Sequence, residues 1–333
     1  MSVQLWKVLV PALGLSLLWT ACKKEQSATQ TEEQQSNEPR YSGTVEDDPA
    51  MVSKASLLVS ADFINTVHMT ARKGGGGKPG TQPVDTTTTT PPPPTDTTTI
   101  TPPPPADTTV IAPTPAPLPS SYSIMMPSVR YQGTEGSCVA FAVAYARSAE
   151  QYYKTGATSY NDAVNVFSPE YIFNQAKTIA DCSGSGVMRS MELLKSQGVC
   201  TWQSMPYSAS NGCSLMPTAA QLAEAANYKI SSYSMIVDED INAIKTMIAS
   251  NHPVIASFTI DHGFYNAYPG FIWNTLTGNS GGHTMAICGY DDAKHAYKAI
   301  NSWATNWGDA GYIWIDYDFF PVAAAYYTYV MTL

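Results

Sequence analysis

The sequence carries little charge, and positive charge is the scarcer sign. Charged residues make up 14% of the chain, and 27 acidic against 18 basic residues give a formal net charge of −9. No stretch concentrates lysine and arginine, which argues against nucleic acids and anionic lipid surfaces as partners. We therefore expect a protein that binds no nucleic acid.

The common motifs for metal ions and nucleotides are also missing. The five histidines include no pair with the spacing of an HExxH zinc motif. No glycine-rich loop of the phosphate-binding kind follows a strand, and the glycine run at 74–77 is interpreted as linker because no helix follows it. The sequence thus predicts an activity that needs neither a metal ion nor an organic cofactor.

A hydrophobic run long enough to span a membrane is absent near the start of the chain. The apolar run Val8–Trp19 follows Lys7 and is too short for a stable span, so residues 1–21 are predicted to be an export signal. The sequence WTAC, ending at Cys22, resembles a bacterial lipobox with its usual leucine displaced by one position. Cys22 is predicted to carry a lipid that anchors the exported protein to a bacterial membrane, at the outer membrane or cell surface. A simple cleavable signal is the alternative.

Residues 22–118 are predicted to be a disordered stalk. The first part, to about residue 50, is polar and rich in Gln, Glu, Ser and Thr, and it cannot bury a core. An apolar patch, SLLVSADFINTV, could form a short helix at most. The later tracts TTTTTPPPP and TPPPP favour extended polyproline II and act as semi-rigid spacers.

Globular patterning covers residues 119–333, which suffice for a sizeable core. Apolar residues at steps of three or four predict a helix over 138–154, with Ser137 as its N-cap. Further helices are predicted over 169–178, 187–197, 218–227 and 239–250, the last capped by Asp238. Strands follow at VIASFTI, HTMAICGY, AYKAINSW and GYIWIDY. Helices first and strands afterwards predict the α+β class with two unlike halves. The protein is expected to be a monomer.

Four of the six cysteines can form disulfides if the protein is exported. Cys213 is predicted to pair with either Cys182 or Cys200. Cys288 lies in an apolar run and is predicted to be a buried free thiol.

Cys138 follows a glycine-rich turn, in YQGTEGSCVAF, and begins the first predicted helix. The unpaired N–H groups and the positive dipole end of a helix favour a thiolate at this position. A thiolate nucleophile needs a group that protonates the leaving amine, and histidine can do so near neutral pH. His283 follows two glycines and opens an apolar strand, so it is the predicted partner, with a structural histidine as the alternative.

Three segments, in this order, resemble segments of the papain-like cysteine proteases. YQGTEGSCVAF resembles their cysteine segment, GGHTMAICGYDD their histidine strand and AINSWATNWGDAGYIWI their asparagine segment. The separations, 283 − 138 = 145 and 301 − 138 = 163 residues, lie close to the family's spacing. The resemblance implies a helical lobe and an antiparallel β-rich lobe with the active site in the cleft between them. It also implies hydrolysis of peptide bonds in peptide or protein substrates.

The resemblance assigns roles to individual residues. Cys138 would attack the scissile carbonyl as a thiolate, and His283 would protonate the leaving amine and later activate water on an acyl-enzyme. Asn301 would orient the imidazole. Gln132 would join the backbone N–H of Cys138 in an oxyanion hole, and Trp303 would shield the Asn–His hydrogen bond from water.

Some positions depart from the family's pattern. Glu135 stands where relatives often have a cysteine, so the disulfide made by that cysteine is expected to be absent, which leaves Cys182 free for Cys213. Val139 replaces the usual aromatic residue after the nucleophile, and Ala304 replaces a glycine.

The stretch that pairs with the substrate backbone in relatives reads Cys182-Ser183-Gly184-Ser185, with a serine in place of one glycine. Ser183 and Gly184 are the predicted substrate edge. The stalk leaves no room for the long helical propeptide of many relatives, so we expect that no such propeptide silences the domain.

Two alternatives remain open. The stretch DCSG superficially resembles the nucleophile motif of bacterial cell-wall cysteine peptidases, which cut stem peptides; Cys182 would then attack and Cys138 would be structural. The altered positions could instead mark a catalytically silent pseudoprotease that binds peptides.

Overall fold

The computed structural model describes the following parts of the chain: Thr44, residues 46–47, 49–52, 56–57, 117–178, 181–237, 240–278 and 281–333, without the side chains of 56–57 and 325–327. The predicted export signal, Cys22 and most of the predicted stalk lie outside the described residues. Within the described part of the chain, no helix is both long enough and apolar enough to cross a membrane.

The described helices are α1 (Pro49–Val52), α2 (Cys138–Thr155), α3 (Pro169–Ala176), α4 (Val187–Ser196), α5 (Ala219–Ala225, followed by a 3₁₀ turn Ala226–Tyr228), α6 (Ile241–Ala249), α7 (His262–Tyr265) and α8 (Phe320–Ala323). The five helices predicted from the apolar spacing are confirmed as α2 to α6, with ends within a few residues of the prediction.

The caps of two helices differ from the prediction. Ser137 stands at the N-cap of α2 but makes no side-chain capping bond. Its hydroxyl pairs with that of Tyr207 instead, at 2.7 Å. Helix α6 is capped by Asp240, whose carboxylate accepts a hydrogen bond from the N–H of Ala243 at 2.8 Å. The predicted cap, Asp238, lies outside the described residues.

The described strands are β1 (Ser56–Leu57), β2 (Ser121–Ser123), β3 (Ser232–Val237), β4 (Val254–Thr259), β5 (Ile272–Trp273), β6 (Gly282–Asp291), β7 (Ala296–Ile300), β8 (Tyr312–Asp316) and β9 (Ala324–Thr332). They form one sheet in the order β1-β3-β9-β4-β6-β7-β8-β5, and β2 pairs with β6. The four predicted strands are β4, β6, β7 and β8, and they are antiparallel neighbours.

Helix α2 separates two hydrophobic cores, which explains why it is buried on all sides along most of its length. Phe141 and Tyr145 face the core of the β-rich half. Val139, Ala142 and Val143 face the core formed with α3 and α4. The predicted α+β class with two unlike halves is therefore confirmed, and the helix that begins at Cys138 lies between them.

A disulfide joins Cys182 to Cys213 and closes a loop with a sequence separation of 31 residues. This confirms one of the two predicted pairings and excludes Cys182 as a nucleophile, because its sulfur is already bonded. The cell-wall peptidase alternative built on Cys182 is therefore wrong. Cys200 and Cys288 are free and buried. Burial raises the pKa of both thiols to about 12.

Part of the predicted stalk packs on the domain. Strand β1 pairs in parallel with β3 at the edge of the sheet, with Ser56 opposite Ser234 and Leu57 opposite Met235. Met51 packs against the core of the helical half. This segment is thus ordered against the domain, and its position relative to the nucleophile is described below.

Candidate active site

The turn before α2 places Cys138 at the junction of the two halves. Gly136 donates its N–H to the carbonyl oxygen of Cys182 at 2.8 Å. A Cβ atom at Gly136 would lie 2.2 Å from the carbonyl oxygen of Ser183, so only glycine allows the turn to pass so close to the disulfide loop. Cys138 follows as the first residue of α2 and is fully buried. As the first helical residue, it also has a backbone N–H without an intrahelical acceptor.

His283 reaches the same place from the β-rich half. It lies on β6 opposite Phe258 of β4 and is fully buried. Its ring is enclosed by Trp303 and Phe264, at centroid distances of 4.6 and 5.5 Å. Aromatic rings on these two sides restrict the orientation of the imidazole.

Asn301 determines which ring nitrogen of His283 carries the proton in the neutral imidazole. Its Oδ1 lies 2.7 Å from Nε2 of His283. The same oxygen accepts a hydrogen bond from the N–H of Ser302 at 2.7 Å, and a backbone N–H can only donate. Since Oδ1 is therefore the acceptor, Nε2 must carry the hydrogen. The other ring nitrogen, Nδ1, makes no hydrogen bond to a nitrogen or oxygen atom of the described residues, which leaves it for the thiol.

The thiol of Cys138 is more acidic than an ordinary cysteine although it is buried. Burial alone raises its pKa, but the charge of His283 and hydrogen bonds to the sulfur lower the pKa from 9.0 to about 7. Opposite charges in a water-poor site stabilise each other strongly. The arrangement can therefore hold a thiolate beside an imidazolium near neutral pH.

Gln132 lies six residues before Cys138 and has a fixed amide orientation. Its Oε1 accepts a hydrogen bond from the hydroxyl of Ser302 at 2.6 Å, and its Nε2 donates to the carbonyl oxygen of Glu135 at 2.9 Å. The side chain is fully buried. Its predicted role as an oxyanion-hole donor stays a prediction.

Trp303 stacks between the histidine and two further aromatic rings. It is 1% exposed, lies edge-on to Phe264 and stacks on Tyr265 with a centroid distance of 5.2 Å. Its position beside His283 is compatible with the predicted shielding role, which stays a prediction.

A short segment that precedes the domain covers the sulfur of Cys138. The hydroxyl of Thr44 lies 3.6 Å from the sulfur of Cys138 and 2.6 Å from the hydroxyl of Thr284. The N–H of Thr44 donates to the carbonyl oxygen of Gly282 at 3.2 Å. The described part of this segment contains one turn of helix, α1 (Pro49–Val52). We call the described residues from Thr44 to Val52 the cleft segment.

The cleft segment also contacts the opposite wall. Thr44 forms a parallel backbone bridge with Ser185, one residue after the predicted substrate edge Ser183–Gly184. Further along, the carboxylate of Asp47 accepts hydrogen bonds from the N–H of Met188 and the hydroxyl of Tyr329, both at 2.9 Å. Peptide backbone and side chains of this chain therefore already occupy the groove next to the sulfur.

Several of these residues gave no usable signal in the sequence. Thr44 and Asp47 lie in a polar stretch whose composition is typical of a tether. Tyr329 lies on β9, where the alanine-rich start AAAYY hides the alternation of a strand. Thr284 follows the predicted histidine directly and could have been noted as a cleft hydroxyl.

Comparison with known proteins gives the same assignment for this part of the chain. A family model described as papain family cysteine protease matches residues 120–323. The gamete and mating-type specific protein A of Dictyostelium discoideum is 31% identical over 187 residues, which cover 56% of this chain and 39% of that protein. Cathepsin B-like cysteine proteinase 4 of Caenorhabditis elegans is 27% identical over 221 residues, which cover 56% of this chain and 64% of that protein. The match thus spans less than two thirds of these relatives.

Solved structures share the fold. Xylellain, a cysteine protease from Xylella fastidiosa, has a TM-score of 0.55 and 24% identity, covering 65% of this chain and 87% of that chain. The bromelain protease from Ananas comosus, solved in complex with the E64 inhibitor, has a TM-score of 0.54 and 22% identity, and the match covers 65% of this chain and 100% of that chain. These likenesses confirm the fold implied by the sequence motifs.

Proposed function

Because the chain belongs to the papain family of cysteine proteases, we propose that it is a peptidase that hydrolyses peptide bonds through Cys138 and His283. One observation carries the proposal: a buried thiol whose pKa lies at about 7 beside an imidazole. That imidazole is held at its far nitrogen by Asn301, at 2.7 Å. A buried thiol without such a partner has its pKa raised, as in Cys288 of this chain.

The reaction follows from this geometry. The thiolate of Cys138 attacks the carbonyl carbon, and the negative charge moves to the carbonyl oxygen, where the N–H of Cys138 and the amide of Gln132 can donate to it. The C–N bond breaks as His283 gives its proton to the departing amine. His283 then removes a proton from water, which attacks the acyl-enzyme and releases the carboxylic acid and the thiolate. Asn301 keeps the imidazole oriented throughout.

The cleft segment must leave before a substrate can bind, because it occupies the position next to the sulfur. Thr44 presents a hydroxyl to Cys138, and a hydroxyl offers no carbonyl carbon for attack. We therefore propose that the full chain exists in a covered state and an open state, and that only the open state hydrolyses peptides.

The proposed substrates are peptides or proteins outside the cytoplasm. The export signal over residues 1–21 and the lipobox-like sequence ending at Cys22 support a protein anchored by lipid to a bacterial membrane. Exchange of Cys22 for serine should then move the protein from the membrane fraction to the soluble fraction, and unchanged fractionation would contradict the anchor.

The peptidase assignment is tested with the full chain and its Cys138→Ala and Cys288→Ala variants. An epoxide or vinyl-sulfone probe should label the full chain and the Cys288→Ala variant, but not Cys138→Ala. The full chain and the Cys288→Ala variant should also cleave a mixed peptide library, and the Cys138→Ala variant should not. A thiol at 138 that reacts no faster than free cysteine, together with no cleavage, would instead support the pseudoprotease alternative.

A further inference from the structure

Asp47 of the cleft segment fills a pocket made by two rigid elements. Its Oδ1 accepts a hydrogen bond from the backbone N–H of Met188 on α4, and its Oδ2 accepts one from the hydroxyl of Tyr329 on β9. Met188 is fully buried and Tyr329 is 4% exposed. Both donors are therefore buried in the folded domain, and each belongs to a helix or strand outside the cleft segment.

The start of α4 needs an acceptor that its own sequence does not supply. The N-cap residue is Gly186, which has no side chain and makes no capping bond. The first N–H groups of a helix lack intrahelical acceptors, and the positive dipole end favours an oxygen there. Asp47 satisfies one of these N–H groups from outside the helix.

This pocket lies within reach of a peptide bound at the nucleophile. Thr44, only three residues before Asp47, contacts both the sulfur of Cys138 and the carbonyl oxygen of Gly282. Three residues span at most about 10 Å. A substrate placed next to Cys138 can therefore present a nearby side chain to the same two donors.

The pocket contributes hydrogen bonds rather than a positive charge. Among the described residues, no lysine, arginine or histidine forms an ion pair with Asp47. Burial raises the pKa of its carboxyl group, and the negative charge of Glu46 adds to that effect. A neutral head group that can accept a hydrogen bond from Met188 would suit these donors as well as a carboxylate would.

We propose that Met188 and Tyr329 form a specificity pocket that selects substrates with Asp or Asn near the scissile bond over substrates with the isosteric Leu. The proposal rests on the proposed peptidase function. Leu has the same branched shape but would leave the N–H of Met188 without an acceptor, and unpaired buried polar groups give strong discrimination.

The test uses the full chain with Asp47→Ala, which empties the pocket, and adds either Tyr329→Phe or Tyr317→Phe. The two tyrosines are matched, because each is 4% exposed and donates a 2.9 Å hydrogen bond to an aspartate, Asp47 or Asp292. Tyr317 packs against His295 and Tyr297 rather than against the cleft segment.

Asp, Asn and Leu are moved in turn through the positions that precede the scissile bond in otherwise identical peptides. We expect one position at which Asp and Asn raise kcat/KM about tenfold over Leu. Tyr329→Phe should reduce that ratio several-fold, and Tyr317→Phe should leave the ratio unchanged. Cleavage with no preference for Asp or Asn, or a preference that survives Tyr329→Phe, would overturn the pocket but not the peptidase.

A binding experiment tests the pocket even if no peptide is cleaved. The absence of cleavage would count against the proposed function alone. The labelled peptide TVEDDPAMV, with the sequence of residues 44–52, is titrated onto the full chain carrying Asp47→Ala and Cys138→Ala. Exchange of the aspartate that corresponds to Asp47 for Asn should preserve affinity within a few-fold, and exchange for Leu should weaken it about tenfold. Equal affinities of the Asp, Asn and Leu peptides would refute the pocket.

Discussion

Exchange of Asp47 for alanine should open the active site of the full chain. The variant removes the two hydrogen bonds that hold the cleft segment at α4 and β9. At about 1 kcal/mol for each bond, docking should weaken by about 2 kcal/mol, or roughly 30-fold in the equilibrium constant. Since only the open state binds substrate, kcat/KM should rise by up to this factor, with kcat unchanged once substrate saturates the site.

The assay compares hydrolysis of one fluorogenic peptide, and labelling of Cys138 by an epoxide probe, between the full chain and its variants. Glu46→Ala is the matched control, because Glu46 is the neighbouring carboxylate but is exposed. It should change both rates little. If Asp47→Ala raises neither rate by more than about twofold, docking through this carboxylate does not control access to the sulfur.

The pH dependence provides a second check on the same idea. Burial raises the pKa of Asp47 above 3.8 in the docked state. Docking of the cleft segment is therefore favoured when Asp47 is protonated. This stabilisation of the docked state is fully present below pH 3.8 and is lost as the pH rises through the raised pKa. The ratio of kcat/KM for Asp47→Ala to that for the full chain should consequently be largest at acidic pH and fall toward neutral pH. A ratio that rises with pH would refute the assignment.

Three further predictions concern stability, each measured by urea unfolding. Replacement of both Cys182 and Cys213 by serine should lower the free energy of unfolding by about 3–4 kcal/mol, because the disulfide closes a loop with a separation of 31 residues; a loss below about 1 kcal/mol would contradict this. Ala304→Gly should raise it by about 0.5–1 kcal/mol, since Ala304 has a φ of 60° in the left-handed region; a decrease would show that the alanine side chain matters more. The hydrogen bond to Glu150 raises the pKa of His252 above 6.5. His252→Gln should therefore lower the free energy of unfolding most below pH 6.5, and progressively less as the pH rises through the raised pKa. A loss that does not depend on pH would exclude this ion pair as its cause.

The helices and the central strands could be predicted from the sequence because their signals are local. Apolar residues at helical spacing mark α2, and alternating or continuous apolar runs mark β4 and β6. Strand β3 and the last strand β9 were not predicted. These two strands pair with each other, and β9 also pairs with β4. The partners are far apart in the chain, so no short stretch of sequence shows the pairing.

The same distinction applies to the cysteines. The sequence predicted that Cys213 would form a bridge but left two partners open, because pairing depends on which segments approach in space. The fold brings Cys182 to it, and this also removed the alternative nucleophile.

By itself, the sequence identified the family and the three residues that meet at the centre of the candidate site. A cysteine opening a helix, a histidine opening a strand and an asparagine in a third motif each carry their signal in adjacent residues, and they identify the family. Only the tertiary structure decided what lies in front of that centre. Thr44 and Asp47 reach the cleft through hydrogen bonds to residues more than 90 positions away in the chain, and such contacts leave no periodicity or motif in a polar segment.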